Sequence, residues 1–270
     1  MPASNPRAIA KARTLPADAI ILDLEDAVAP ERKTEAREAA LAAVTAGFGG
    51  RLVVIRANSL GSEWGADDLA ALTAAPVDAV LMPKVEGPAD LQAARDALGG
   101  DGPALWAMIE TAIGLVNLPA IAEAATTVRL EALVAGTNDL ALDLRCRPDT
   151  DRAPLLPALA QIVAAARAMG ALALDGVLNA IDDPGRLAAE CAQGAAWGFD
   201  GKTLIHPSQV EAANVGFGPT AEEVEWARRV AAAFADPDAV GRGAIRVDGA
   251  MVERLHLAQA ERILAIAETG

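Results

Sequence analysis

Three observations predict the fold class of this sequence, an α/β protein built as a TIM-type (β/α)8 barrel. The chain has 270 residues, close to the ~250 typical of one such barrel. Short β-rich runs alternate with Ala-rich segments whose apolar residues recur at helical spacing, which implies right-handed βαβ crossovers and a parallel sheet. Six of the seven runs end in charged or hydrogen-bonding residues, and the C-terminal edge of a parallel α/β sheet is where sites assemble. An open doubly wound sheet also holds seven strands, so the count alone does not decide. Charges from so many successive tips converge on one point only if the sheet closes.

In chain order the runs are Ala19–Asp26 (AIILDLED), Leu52–Asn58 (LVVIRAN), Ala79–Val85 (AVLMPKV) and Ala104–Thr111 (ALWAMIET). Glu131–Leu140 (EALVAGTNDL), Ala171–Leu178 (ALALDGVL) and Gly201–Pro207 (GKTLIHP) follow. Among the intervening helices, Pro88–Leu98 and Pro157–Met169 open on proline, which suits a first helical turn. No Pro/Gly/Ser-rich linker interrupts the alternation, and residues 1–219 read as the barrel. From Thr220 the pattern changes to a helix at Ala221–Phe234, a Gly-punctuated turn or short strand at Val240–Asp248, and a last helix at Val252–Glu268. Residues 220–270 therefore form an appendage to the barrel.

Composition narrows the function. With 53% hydrophobic residues, the chain is not disordered. Aromatics are 3% and Tyr is absent, which disfavours stacking platforms for single-stranded nucleic acid. A net charge of −14 disfavours nucleic acid and anionic membranes as partners. An anionic substrate must then be gripped by a few locally placed cations. Cys146 and Cys191 show no metal-ligand spacing and are too few for a disulfide scaffold. The chain opens without an apolar signal core, and no run approaches the ~20 apolar residues of a membrane span. A cytoplasmic protein with reduced thiols is expected.

Glu110 and Asp139 are the first candidates for chemistry. Period two places Trp106, Met108 and Glu110 on one strand face, so Glu110 stands in line with apolar residues, a costly place for a lone carboxylate. Two carboxylates from adjacent tips suit a hard divalent cation such as Mg²⁺. The alternatives are a salt bridge from Glu110 to Arg56 or Lys84, and a capping or turn role for Asp139. Arg56, two residues before Asn58, offers a planar fork for a substrate carboxylate or for Glu25 and Asp26. Lys84 is a similar, less specific candidate. His206 reads as structural, and no Ser/His/Asp or Cys/His arrangement is suggested.

The motifs ILDLEDAV (Ile21–Val28), VIRAN (Val54–Asn58), LMPKVE (Leu81–Glu86), MIET (Met108–Thr111) and GTNDL (Gly136–Leu140) then make the chain recognisable. With LDGV (Leu174–Val177), GFDGKTLIHPSQ (Gly198–Gln209) and DGAMVE (Asp248–Glu253), the sequence resembles the citrate lyase β-subunit-like family. That family includes malyl-CoA and citramalyl-CoA lyases of the HpcH/HpaI aldolase group. The resemblance implies Mg²⁺ on Glu110 and Asp139, a keto-acid carboxylate gripped by Arg56, and Glu25 and Asp26 ordering metal-bound water; Lys84 and Asn58, at neighbouring strand tips, are further substrate-binding candidates. It also implies a homotrimer or homohexamer in which residues 220–270 act as a lid and Glu253 as the acid/base.

Three residues depart from the family pattern. Glu253 stands where Asp is usual, Asn138 where many members carry Glu, and Ala180 where Asp often follows LDGV-x-N. Members also begin with a strand before the MPAS-like turn, so the first strand is expected to be truncated here. The activity implied is Mg²⁺-dependent Claisen-type cleavage of a 3-hydroxyacyl-CoA thioester such as malyl-CoA or citramalyl-CoA, giving acetyl- or propionyl-CoA and glyoxylate or pyruvate. The rivals are a CoA-independent pyruvate aldolase, a citrate lyase β subunit acting on carrier-bound citryl groups, and a non-catalytic scaffold.

Overall fold

Seven strands follow one another across a single parallel sheet in the order in which they occur in the chain. They are β1 (Ala19–Asp23), β2 (Leu52–Arg56), β3 (Ala79–Met82), β4 (Ala104–Ile109), β5 (Leu130–Ala135), β6 (Leu172–Asp175) and β7 (Gly201–Lys202). The computed structural model describes residues 1–236, 239 and 241–269. Helix α1 (Pro6–Ala12) precedes β1, and α2 (Lys33–Ala46), α3 (Gly65–Leu72), α4 (Pro88–Leu98), α5 (Ala112–Val116) and α6 (Leu118–Val128) lie between the strands. They are followed by α7 (Thr137–Asp143), α8 (Leu156–Ala168), α9 (Pro184–Trp197) and α10 (Val210–Phe217). A doubly wound sheet reverses its strand order at a switch point, and this sheet does not, which is barrel topology.

Period two decides what each strand buries. Val54, Ala79, Leu81, Ala104, Trp106, Met108, Ala132 and Val134 pack into one cluster with Ala19, Ile21 and Leu174, all from alternate positions of successive strands. One large indole among many alanines fills the interior, while the intervening Leu22, Ile55, Val80, Leu105 and Leu133 are buried as well, as expected of strands covered on both faces. At the front edge Pro2 bridges in parallel to Asp23, with Ala3 N–H donating to Asp23 O and Asp23 N–H to Met1 O. Residues 1–3 thus make a stub in the place expected for the truncated strand.

The structure corrects several boundaries. The run read as a strand over Glu131–Leu140 ends at Ala135, and Asn138 and Asp139 lie in the first turn of α7. Gly201–Pro207 contributes only a two-residue strand, with a short 3-10 turn at Pro207–Gln209. The two compact units are Met1–Ala213 and Asn214–Gly270, so the division falls within α10 rather than at 219/220. In the second unit, α11 (Ala221–Ala235) precedes an antiparallel hairpin of β8 (Ala244–Val247) and β9 (Ala250–Glu253), then α12 (Arg254–Thr269). Val240, where the sequence reading begins its turn, lies outside the described residues. The hairpin turns on Asp248-Gly249, with φ of 50° and 83°, the backbone that a two-residue type I′ loop demands. Glu253, expected inside the last helix, is instead the final strand residue. Ala227, Val230, Phe234, Val252 and Ala260 form this unit's own core. Among the described residues no helix is long and apolar enough to cross a membrane.

Candidate active site

Asp23 and Arg56 are register partners at the ends of β1 and β2, which puts both side chains on one face of the sheet. Arg56 clasps Asp23 with both prongs, Nε to Oδ1 at 2.7 Å and Nη2 to Oδ2 at 2.6 Å. Its remaining Nη1 lies 3.0 Å from Glu25 Oε2 and 3.5 Å from Asp26 Oδ2. Of the two roles open to Arg56, the fork is used on an internal carboxylate, and Nη1 alone faces the mouth. Burial works against the Arg56 charge, but Asp23 outweighs it and raises the pKa. Burial likewise pushes Asp23 upward, yet the Arg56 fork and the Glu25 N–H hold it below the usual carboxylate range.

Across the mouth, Lys84 follows β3 in a left-handed backbone conformation, φ 50°, which strains a residue bearing a side chain. That conformation aims its N–H at Glu110 Oε1, 2.8 Å away, while its Nζ reaches Glu25 Oε1 at 3.0 Å and stands 3.8 Å from Asp139 Oδ2. Gly136 makes room for Glu110: a Cβ there would fall 2.4 Å from the Glu110 Cβ and 2.6 Å from its Oε2. Glu110 is only 3% exposed. Burial pushes its carboxyl from 4.5 up to about 7, with Glu25 and Asp139 adding to the shift against the Lys84 N–H. Glu25 is raised too, chiefly by burial, because Arg56 and Lys84 only partly offset it.

This mouth is short of positive charge. Glu25 Oε2 is buried without a hydrogen-bond partner, although Arg56 Nη1 is nearby. Glu110 is a hard oxygen donor held against its own ionisation by burial first and by neighbouring carboxylates second. Those features suit a divalent cation on oxygen ligands. Among the described residues no three His, Cys, Asp or Glu side chains converge into a metal cage by themselves, so Glu110 and Asp139 would share an ion with water or substrate.

A polar network behind the mouth went unread in the sequence. Lys33, buried at the start of α2, gives its three ammonium protons to Leu24 O (2.8 Å), Glu25 O (2.8 Å) and Asn58 Oδ1 (2.7 Å). Asn58 Nδ2 donates to Leu24 O and to Asp68 Oδ2, and Asp68 Oδ1 accepts from Arg37 Nε. Asn58 is 2% exposed and its amide is saturated by these partners, which corrects the expectation that it touches substrate: it anchors the backbone that carries Glu25. Asp23 also escaped the sequence reading, although period two along LDLED puts it on the face of Glu25. Lys84 and Asp26 keep exposed side chains at the mouth. Glu253 belongs to the other unit, where its N–H donates to His256 Nδ1 at 2.9 Å.

Farther round the barrel lies a second buried charge cluster. Arg152 Nη1 bonds both Asp175 oxygens at 2.8 and 2.9 Å. Lys202 Nζ bonds Asp175 Oδ2 at 3.1 Å and Glu190 Oε2 at 3.3 Å. Next to Asp175, Gly176 lets Thr137 of α7 pack where a Cβ would stand 2.4 Å from its Oγ1.

Fold and site define a parallel α/β barrel with an acidic oxygen-donor centre at its C-terminal mouth. The chain belongs to the HpcH/HpaI aldolase/citrate lyase family, whose model matches residues 1–207. It is 47% identical over 269 residues to the (3S)-malyl-CoA thioesterase of Cereibacter sphaeroides, covering 99% of this chain and 93% of the relative. It is 32% identical to the mitochondrial citramalyl-CoA lyase of Rattus norvegicus, covering 99% and 84%. Among solved structures it is similar to CitE of Mycobacterium tuberculosis in complex with magnesium, acetoacetate and coenzyme A, with a TM-score of 0.79 and 34% identity over 99% of this chain and 96% of that one.

Proposed function

We propose that this protein is a Mg²⁺-dependent carbon–carbon lyase acting on a CoA thioester of the malyl or citramalyl class. The observation that carries the reading is the excess of buried carboxylate at the mouth, with Glu110 pushed up to about 7 and Glu25 Oε2 buried with only an ion-pair contact to Arg56 Nη1. The similar structure holding magnesium, a keto acid and coenzyme A supports it, as does the citramalyl-CoA lyase relative.

Glu110 and Asp139 would hold the ion, with Glu25 and Asp26 ordering its water. When bound, Mg²⁺ acts as a Lewis acid on the substrate's hydroxyl and carboxylate oxygens. Lys84 Nζ, exposed at the mouth, and Arg56 Nη1 orient the substrate carboxylate, which turns binding into alignment. Cleavage releases the hydroxyl proton and passes the C–C electron pair to a thioester enolate. Glu253, kept as a carboxyl one methylene longer than the family's Asp, returns a proton to that carbon and completes acetyl- or propionyl-CoA, leaving glyoxylate or pyruvate. Glu253 acts from a lid formed by residues 220–270 in a homotrimer or homohexamer, an assembly that native mass spectrometry measures.

A second reading, hydrolysis of the same substrate to free CoA and a hydroxy dicarboxylic acid, is favoured by the relative named a malyl-CoA thioesterase. One experiment separates the two. Malyl-, methylmalyl-, citramalyl- and citryl-CoA are incubated with and without Mg²⁺, and the products are identified. Acyl-CoA with a keto acid means cleavage, whereas free CoA with the intact dicarboxylate means hydrolysis. Glu110→Ala should reduce either activity to baseline, and undiminished turnover in that variant refutes the metal assignment.

A further inference from the structure

The thioester proposed above carries its own problem of charge: coenzyme A ends in a pyrophosphate and a 3′-phosphate, and this chain has a net charge of −14. The loops leaving the C-terminal ends of the barrel strands hold few cations, and most are spent internally. Arg32 pairs with Glu35, Lys84 with Glu25, and Arg152 with Asp175. Arg145 and Arg147 differ. Both are exposed, and among the described residues neither guanidinium has a hydrogen-bond or ion-pair partner.

They stand just beyond α7, whose first turn carries Asp139. Six residues separate Asp139 from Arg145, about 9 Å along a helical path, so the arginines sit on the same rim as the metal candidates but clear of them. Their loop is held by main-chain bonds from Leu144 N–H to Leu140 O, Arg145 N–H to Leu142 O and Cys146 N–H to Ala141 O. Arg145 takes a left-handed backbone, φ 53°, disfavoured for a residue with a side chain. Asp149, the nearest acid along the loop, turns back to accept the Ala153 N–H. The surroundings are apolar. Leu142 is 79% and Val116 77% exposed, with Ile113 and Leu144 also open to solvent. The Ala112 N–H donates to Asp143 Oδ2 at 2.6 Å, which ties the start of α5 to the end of α7, the two elements that carry these exposed residues.

We propose that Arg145 and Arg147 form the phosphate-binding subsite for the nucleotide end of the CoA thioester, with Leu142, Leu144, Ile113 and Val116 as the apolar bed for its pantetheine arm and adenine. Planar guanidinium forks match phosphate bidentately. A free, paired set of them on an otherwise acidic protein also draws a polyanion to the correct side of the barrel. The subsite rests on the acyl-CoA reading of the mouth, and the experiment keeps the two apart.

Binding of CoA and of dephospho-CoA to the full-length protein is measured by titration calorimetry at two salt concentrations. Turnover is measured with malyl-CoA and with the malyl thioester of N-acetylcysteamine, which lacks the nucleotide. In R145A/R147A, CoA affinity and KM for malyl-CoA should worsen by about tenfold or more, the scale of lost charge-assisted contacts, and the salt dependence of binding should flatten. Turnover of the truncated thioester and Mg²⁺ affinity should be unchanged, and R145K/R147K should recover part of the loss. Equal CoA binding by wild type and R145A/R147A overturns the subsite and leaves the mouth chemistry standing, as does an equal loss on the truncated thioester. Wild type that binds no CoA and turns over no CoA thioester overturns both. A melting temperature unchanged in the variant, as expected for exposed unpaired side chains, confirms that the effect is local.

Discussion

Two charge clusters in the barrel invite comparison, because they use the same residue types to opposite ends. At β6 and β7, Arg152 and Lys202 face Asp175 and Glu190. Two buried cations meet two buried anions, and Arg186 adds a half-buried contact to Glu190 from the edge. At the mouth, Arg56 and Lys84 face Asp23, Glu25 and Glu110, with Asp26 and Asp139 at the rim, and Glu25 Oε2 makes no hydrogen bond beyond its ion-pair contact with Arg56 Nη1. The first cluster is complete without anything from outside. The second is short of positive charge, and its Glu110 is displaced far from its ordinary ionisation. A balanced buried cluster holds elements together; an unbalanced one marks a place built to receive something.

The largest expected effect on stability comes from unbalancing the complete cluster. Lys202→Met leaves Asp175 and Glu190 with one buried cation between them and should lower unfolding free energy by about 3–5 kcal/mol, read from the denaturant midpoint. A loss below 1 kcal/mol would erase the distinction between the clusters.

Glu110→Gln should do the reverse in the metal-free protein. A carboxyl whose pKa rises on folding from 4.5 to about 7 contributes most below its unfolded value, and that contribution is lost as pH climbs through 7. Metal-free wild type should therefore lose at most about 3 kcal/mol between pH 4.5 and 8. Glu110→Gln should flatten that decline in thermal melts. Above pH 7, added Mg²⁺ should restabilise wild type and leave the variant unchanged.

The smallest effect tests the support behind the mouth. Lys33→Met strips donors from Leu24 O, Glu25 O and Asn58 Oδ1, which should cost about 1–3 kcal/mol. It should also weaken Mg²⁺ binding by about 10- to 100-fold, as loss of an outer partner does. Weakened stability with unaltered metal affinity would reduce Lys33 to a packing residue.

The barrel was legible because strand alternation and polar tips are local features, and strand order then followed from connectivity. Glu110 was legible for a related reason: a carboxylate in register with Trp106 and Met108 contradicts its own strand face. Asn58 and Lys33 were not, because their roles depend on which side chains α2 and α3 bring back to the sheet, a pairing at separations of 10 to 25 residues. Asp139 was assigned to a strand since GTNDL has no helical period of its own. The β8–β9 hairpin carried its signal in Asp248-Gly249 but was hidden by the helical pattern that follows.

The indole of Trp106 gives the barrel an optical property. With four Trp and no Tyr, near-ultraviolet emission comes from tryptophan alone. Trp106 lies in the barrel interior on the same strand face as Met108 and Glu110, about 13 Å along β4 from the carboxylate. Trp64 stacks 5.1 Å from the ammonium of Lys33. Of the four, Trp106 thus looks up at the mouth from within and Trp64 watches its scaffold from behind. With Trp197 and Trp226 replaced by Phe, the protein would carry separate native reporters for what enters the mouth and for what holds it in shape.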